Sequence, residues 1–321
     1  MKNDPIIVVA GEPYSIFLEI LFKSIKKNTF KKPIILIVSQ ELFKKQMVAL
    51  NYNISFNIID EKKINFKKLS RSKINIINVD LNFKNIFDKI SNNSKSYIEK
   101  SFRIALNLIK KNKYAGIING PISKKYFLAG TFLGITEYLA AKTNKKDEVA
   151  MLIFNKKLSV SPITTHIPLK NVHKELSKKK ILNHVKLIKT FYKKKFNKNP
   201  KIAITGLNPH CESNYKSSEE DLIIRPAIKQ LAKMKYIVSG PFAADTIFMK
   251  EQSKKYDVII GMYHDQVLTP AKTLFGFSAI NITLGLPFIR ISPDHGPNTA
   301  MLGKNLSNPK SLIEALKFLD N

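Results

Sequence analysis

The sequence contains a single cysteine, Cys211, among 321 residues. One thiol excludes an intrachain disulfide and a cysteine-based zinc site. No apolar run approaches the roughly 18 residues that a membrane span requires. The first apolar stretch, Ile6 to Ala10, is too short for a signal-peptide core, and no small-residue cleavage site follows it. A cytoplasmic protein that does not engage a membrane is expected. Acidic residues are few, 24 against 54 basic ones, so the formal charge is +30. Such a balance raises nucleic acid as a partner. However, only Arg71, Arg103, Arg225 and Arg290 are arginines, and base readout favours the arginine fork. The lysines are spread along the whole chain and form no tail, so no specific nucleic-acid partner is expected. Three fingerprints are also absent. No GxGxxG follows the first strand-like run, no Walker A sequence occurs, and no GxSxG elbow is present.

What is present is alternation. Short apolar runs at Ile6–Ala10, Pro33–Ser39, Ile74–Val79, Gly116–Ile118, Val149–Phe154, Lys201–Thr205, Asp257–Gly261, Ala279–Leu284 and Phe288–Ser292 read as strands. Amphipathic stretches, among them Ser15–Lys27, Ser94–Lys111, Lys178–Lys194, Ser218–Met234 and Lys310–Leu319, read as helices. In Ser94–Lys111 the residues Ile98, Phe102, Ala105, Leu106 and Ile109 recur at helical spacing. The pattern predicts an α/β fold with a largely parallel sheet. The lysine-rich residues 193–201 read as an exposed turn, and residues 130–134 as a hinge between domains. Ligands in such folds gather at the carboxyl ends of strands.

Four of the six histidines, His166, His210, His264 and His295, follow strand-like runs. His173 and His184 lie in lysine-rich helical sequence and are expected at the surface. Three neutral imidazoles make a good site for a divalent metal with an open position for substrate. Asp265 directly follows His264, and Lys272 lies further along the same stretch. Asn281 and Arg290 each interrupt an apolar run. A buried arginine requires an anion. That anion is either internal, with Asp294 or Asp245 as candidates, or a substrate carboxylate or phosphate.

Several blocks, in order along the chain, resemble the 4-hydroxythreonine-4-phosphate dehydrogenase family of pyridoxal phosphate biosynthesis. They are Gly11-Glu12-Pro13, Asn119-Gly120-Pro121-Ile122-Ser123-Lys124, Thr136-Glu137-Tyr138-Leu139-Ala140 and Thr164-Thr165-His166-Ile167-Pro168-Leu169. They continue with Gly206-Leu207-Asn208-Pro209-His210, Gly240-Pro241-Phe242-Ala243-Ala244-Asp245-Thr246, Met262-Tyr263-His264-Asp265-Gln266, Thr283-Leu284-Gly285-Leu286-Pro287 and Asp294-His295-Gly296. The resemblance implies an α/β/α two-subdomain fold similar to isopropylmalate dehydrogenase and distinct from a Rossmann fold. The expected division is 1–130 with 270–321 as one subdomain and 131–269, carrying the metal-binding histidines, as the other, with a cleft between them. The resemblance further implies a homodimer with the active site near its interface, NAD or NADP as oxidant, and a divalent metal (zinc, magnesium or cobalt). It assigns His166, His210 and His264 as metal ligands, and Thr136, Lys272, Asn281 and Arg290 as substrate contacts. The base is Lys272 or a water near Asp245. The implied reaction oxidises and decarboxylates 4-phosphohydroxy-L-threonine to 3-amino-2-oxopropyl phosphate. The alternatives are a dehydrogenase of a related phosphorylated hydroxy acid such as 4-phosphothreonate, and a non-catalytic binder of the same fold.

The chain departs from the family pattern in its loops. Ile135 stands where the family usually has a phosphate-binding histidine, and Lys124 or Lys125 is a candidate replacement. The first loop, Tyr14-Ser15-Ile16-Phe17, lacks the family's further glycines. Cys211-Glu212-Ser213-Asn214-Tyr215-Lys216 replaces a glycine-rich loop, and Ala300 stands where an aspartate would suit an adenosine ribose.

Overall fold

The structure, a computed structural model, describes residues 4–146, 148–211 and 217–321. The altered loop after Cys211 therefore lies largely outside the described residues. The chain forms two compact units, Met1–Tyr138 with Pro287–Asn321, and Leu139–Leu286. The strands, in chain order, are β1 Ile6–Val9, β2 Ile34–Val38, β3 Phe56–Ile58, β4 Ile74–Asn78, β5 Gly116–Asn119, β6 Ala150–Phe154, β7 Ser159–Pro162, β8 Ile202–Thr205, β9 Val238–Phe242, β10 Val258–Gly261, β11 Ile280–Leu284 and β12 Arg290–Pro293.

In the first unit the strands run in the order β3-β4-β2-β1-β5-β12, and every neighbouring pair is parallel. Parallel strands are covered on both faces, so they read as unbroken apolar runs. All four residues of β1 are fully buried. The helix Lys95–Lys111 turns Ile98, Phe102, Ala105 and Leu106 inwards against β1 and β2, as its spacing predicts, and leaves most of its lysines outside. The last helix, Lys310–Asp320, packs on β1, β5, β12 and the helix Phe17–Lys27. Its end is tied down by Asp320, which accepts from the Lys31 and Lys32 amides. This return of the C-terminal segment is what makes the unit discontinuous.

In the second unit the order is β11-β6-β7-β10-β8-β9. β6 is antiparallel to both β11 and β7, whereas β7, β10, β8 and β9 are parallel. The division between the units falls at 138/139 and 286/287, where the sequence suggested 130/131 and 269/270. The difference at the second boundary has a physical cause. The helix His264–Phe275 packs on β7 and β10, and β11 hydrogen-bonds along the full length of β6, so both belong with the second unit.

The helix Lys178–Phe196 starts at Ser177, whose hydroxyl accepts from the Lys180 amide, and stops at left-handed Asn197. It therefore runs into the segment expected to be a turn. Its His184 is a correction to the sequence reading. Rather than lying at the surface, it is 6% exposed, with Nε2 2.6 Å from the Ser161 hydroxyl. Ser161 itself donates to the Met151 carbonyl, so the neutral imidazole is the donor to Ser161. Burial, reinforced by Lys180, pushes the His184 pKa down to about 4. The helical spacing of Ile181, Val185 and Ile188 places position 184 on the inner face despite the surrounding lysines. His173 is exposed, as expected.

Two positions lend themselves to stability measurements. Gly285 has φ +90, and a Cβ there would run into the Glu148 carbonyl oxygen. Gly285→Ala is expected to lower unfolding stability by roughly 1–3 kcal/mol, measured by urea denaturation. Glu12, at the end of β1, is 2% exposed, and neither carboxylate oxygen has a well-formed hydrogen bond among the described residues. Burial raises its pKa from 4.5 to about 7, against the opposing effects of the nearby Ser94 hydroxyl and Tyr14 amide. The folded state then binds this proton more tightly than the unfolded chain. Stability attached to Glu12 is complete below pH 4.5 and lost as pH rises through 7. Glu12→Gln is expected to remove this loss, worth roughly 3 kcal/mol at pH 8. Identical pH dependence of Tm in the two proteins would reject the assignment.

Candidate functional site

Three parallel neighbours, β7, β10 and β8, carry the expected metal ligands beyond their carboxyl ends. His166 follows β7, His264 opens the helix after β10, and His210 sits in the short turn Pro209–Cys211 after β8. The His166 and His264 rings lie 6.0 Å apart between centroids. His264 Nδ1 is 2.7 Å from Asp265 Oδ1. A carboxylate on one ring nitrogen fixes the tautomer and leaves the other nitrogen as a lone-pair donor. His210 is exposed, and its backbone is left-handed at φ 56. Among the described residues of one chain, no three His, Cys, Asp or Glu side chains are grouped to hold one metal ion. One chain therefore brings together two of the three expected ligands.

Gln266, quoted in a motif but given no role from sequence, ties two of these strand ends together. Its Oε1 accepts from the Met262 amide at 2.6 Å and from the Thr205 hydroxyl at 2.9 Å. Its Nε2 donates to the Gly206 carbonyl at 2.8 Å. The loops leading to His210 and His264 are thus held by a single side chain.

The other expected contacts of this unit are spread out. Lys272 is exposed, eight residues along the helix that His264 opens, which is roughly 12 Å of axial rise. Asn281 is half-buried on β11, and its Oδ1 has no hydrogen-bond partner among the described residues. Asp245 is exposed in the short helix after β9.

In the first unit, Arg290 opens β12 and is fully buried. Its Nε donates to Asn119 Oδ1 at 2.7 Å, and its Nη1 donates to the Thr136 hydroxyl at 3.4 Å. Asn119 is oriented in turn by donating to the Gly120 carbonyl. Burial lowers the arginine's pKa to about 10, and the Glu137 charge opposes the fall. The guanidinium therefore remains cationic at neutral pH. Asn119 and Glu137 both lie in the quoted motifs, but nothing in the sequence distinguished them from their neighbours. Ile135 begins the helix that carries Thr136. Lys124 and Lys125 are exposed, and Lys125 lies over the Tyr126 ring. His295 is also in this unit, largely buried beside Phe17, and neither ring nitrogen has a hydrogen-bond partner among the described residues. Burial pushes its pKa down to about 4, with Asp294 opposing.

No helix among the described residues is long and apolar enough to cross a membrane. Residues 29–319 match the family model described as pyridoxal phosphate biosynthetic protein PdxA. The chain is 38% identical over 316 residues to a 4-hydroxythreonine-4-phosphate dehydrogenase of Sulfurihydrogenibium, covering 97% of this chain and 96% of the relative. It is 31% identical over 327 residues to a putative D-threonate 4-phosphate dehydrogenase of Oceanobacillus iheyensis, covering 98% and 97%. Among solved structures, 4-hydroxythreonine-4-phosphate dehydrogenase from Klebsiella pneumoniae superposes with a TM-score of 0.84 at 29% identity, covering 98% of each chain. The chain belongs to the PdxA family of pyridoxal phosphate biosynthesis and is an oxidoreductase of that family.

Proposed function

We propose that this oxidoreductase carries out the metal-dependent, NAD- or NADP-linked oxidation and decarboxylation of 4-phosphohydroxy-L-threonine to 3-amino-2-oxopropyl phosphate. The observation that carries the proposal is the His166–His264 pair beyond neighbouring parallel strands, with His264 oriented by Asp265. These imidazoles fit a divalent cation, with His210 as the third ligand. When bound, such a cation would supply Lewis acidity, lowering the pKa of the substrate hydroxyl and polarising the carbonyl made from it.

The chain's own groups supply the rest. Arg290, preorganised by Asn119 and Thr136, neutralises an anionic group of the substrate, and its burial strengthens that attraction. Asn281 offers an amide oxygen with no hydrogen-bond partner among the described residues, which suits a substrate donor. Lys272, or a water near Asp245, takes the hydroxyl proton. The oxidised product is a β-keto acid, and loss of carbon dioxide leaves an enolate that is protonated to the aminoketone phosphate. NAD or NADP is the oxidant consumed. A homodimer is part of this reading, because Lys272 lies eight residues, roughly 12 Å, along the helix from His264.

Oxidation of 4-phosphothreonate is the alternative. It is favoured by the 31% identity to a relative named putative D-threonate 4-phosphate dehydrogenase. A panel of both compounds with each dinucleotide and a divalent metal, followed by NADH or NADPH absorbance, decides between them. Turnover of neither compound would favour a binding protein without catalysis. His264→Ala is expected to reduce bound divalent metal below one per chain, and unchanged metal content would remove His264 from the ligand set. Arg290→Lys keeps the charge but loses the fork. It is expected to raise KM for the phosphorylated substrate at least about tenfold, with a smaller effect on kcat.

A further inference from the structure

The turn that presents His210 is held in a conformation its own residues disfavour. His210 and Cys211 are consecutive non-glycine residues in the left-handed region, at φ 56 and φ 57. Such backbone persists only where the surroundings enforce it. One group contributes most of the enforcement. Glu220 is 1% exposed, at the start of the turn Glu220–Ile224. Its Oε1 accepts from the Leu207 amide at 2.7 Å and from the Asn208 amide at 2.8 Å. Its Oε2 accepts from Asn208 Nδ2 at 2.9 Å. Three charge-assisted bonds from one buried carboxylate thus converge on the two residues just before Pro209 and His210.

Neighbouring groups close the remaining freedom. The Gly206 amide donates to the Phe242 carbonyl, and the Gly206 carbonyl accepts from Gln266. A Cβ at Gly206 would stand 2.7 Å from Cys211 Sγ and 2.9 Å from Glu220 Oε1, so only glycine lets the carboxylate approach. On the far side, Arg225 Nη2 donates to the Cys211 carbonyl at 3.0 Å. Glu219 adds a single bond, from Asn208 Nδ2 at 3.0 Å.

We propose that Glu220 is the positioning residue for His210, fixing the backbone from which that imidazole reaches the divalent cation. The proposal rests on His210 being a metal ligand, as assigned above. Glu220 contacts neither substrate nor metal; it acts through the Leu207–Asn208 backbone. Loss of its charge-assisted bonds lets the turn relax and leaves the ligand loosely placed.

The test is titration of the metal-free full-length protein with Co2+, followed by calorimetry and by the visible absorption of the bound ion. The parent is compared with Glu220→Gln, Glu219→Gln and His210→Ala. Glu220→Gln is expected to weaken Co2+ affinity about ten- to a hundred-fold and to alter the absorption band, as the loss of an outer-shell partner does. Glu219→Gln removes the same charge but leaves all three Glu220 bonds in place, and is expected to stay within about twofold of the parent. Parental affinity and spectrum in Glu220→Gln, with affinity reduced in His210→Ala, would overturn the positioning role, even if Tm fell. Equal losses in Glu219→Gln and Glu220→Gln would overturn it too, because the effect would then be one of charge alone. Parental affinity in His210→Ala would remove His210 from the ligand set and this proposal with it. If Glu220→Gln does not fold, Glu220→Asp carries the same test, because its shortened side chain cannot span both amides.

Discussion

Strands buried on both faces leave chemistry only one place to go. β1, β8 and β10 are apolar along almost their whole length and covered on both sides, so no side chain within them can meet a substrate in water. Reactive groups must stand beyond the strand ends, and parallel pairing sends neighbouring carboxyl ends to the same edge. The adjacency of β7, β10 and β8 converts residues distant in sequence, His166, His210 and His264, into neighbouring loops. The rest of the second unit can be read as support for those loops. Gln266, half-buried, and Glu220, buried, are its two clearest devices, each directing hydrogen bonds to groups at the strand ends.

This constraint also explains what was legible in the sequence. Most of the fully buried parallel strands announce themselves as apolar runs, although β7, Ser-Val-Ser-Pro, is not among the strands read from sequence, and the four histidines after strand-like runs pointed to the strand ends. The edge strands β3 and β9 did not announce themselves, because each is only partly buried, and Gly240 and Pro241 break the apolar pattern of β9. The supporting polar groups were harder to see. Asn119, Glu137, Gln266 and Glu220 are common residue types, and their roles come from partners that only the fold brings to them. Arg290 was visible only because arginine is rare here and because it sits in an apolar run.

The histidines show why residue type and local charge are poor guides by themselves. His184 lies among lysines yet is buried and hydrogen-bonded to Ser161, because its helical phase decides its environment. His295 follows a strand just as His166 does, yet it is sealed beside Phe17 with its pKa pushed well down. His264 differs from both in having Asp265 on one ring nitrogen while the side chain stays partly open. In His264, an orienting carboxylate and remaining access occur together, and neither buried imidazole combines the two.

The discontinuity of the first unit sets an order of events during synthesis. The second unit occupies one continuous stretch, Leu139–Leu286, and its strands are all available before the first unit has its last strand. The first unit stays open at β5 until β12 arrives, and the helix Lys310–Asp320 that covers β1 and β5 comes later still. Domains generally fold as units, from the N-terminus onward. Here the N-terminal half must wait, with the apolar flank of β5 unprotected, for the arrival of Arg290. Arg290, the residue proposed to meet the substrate anion, is therefore also on the strand that completes the first unit's sheet, so a chain truncated before it would lack both.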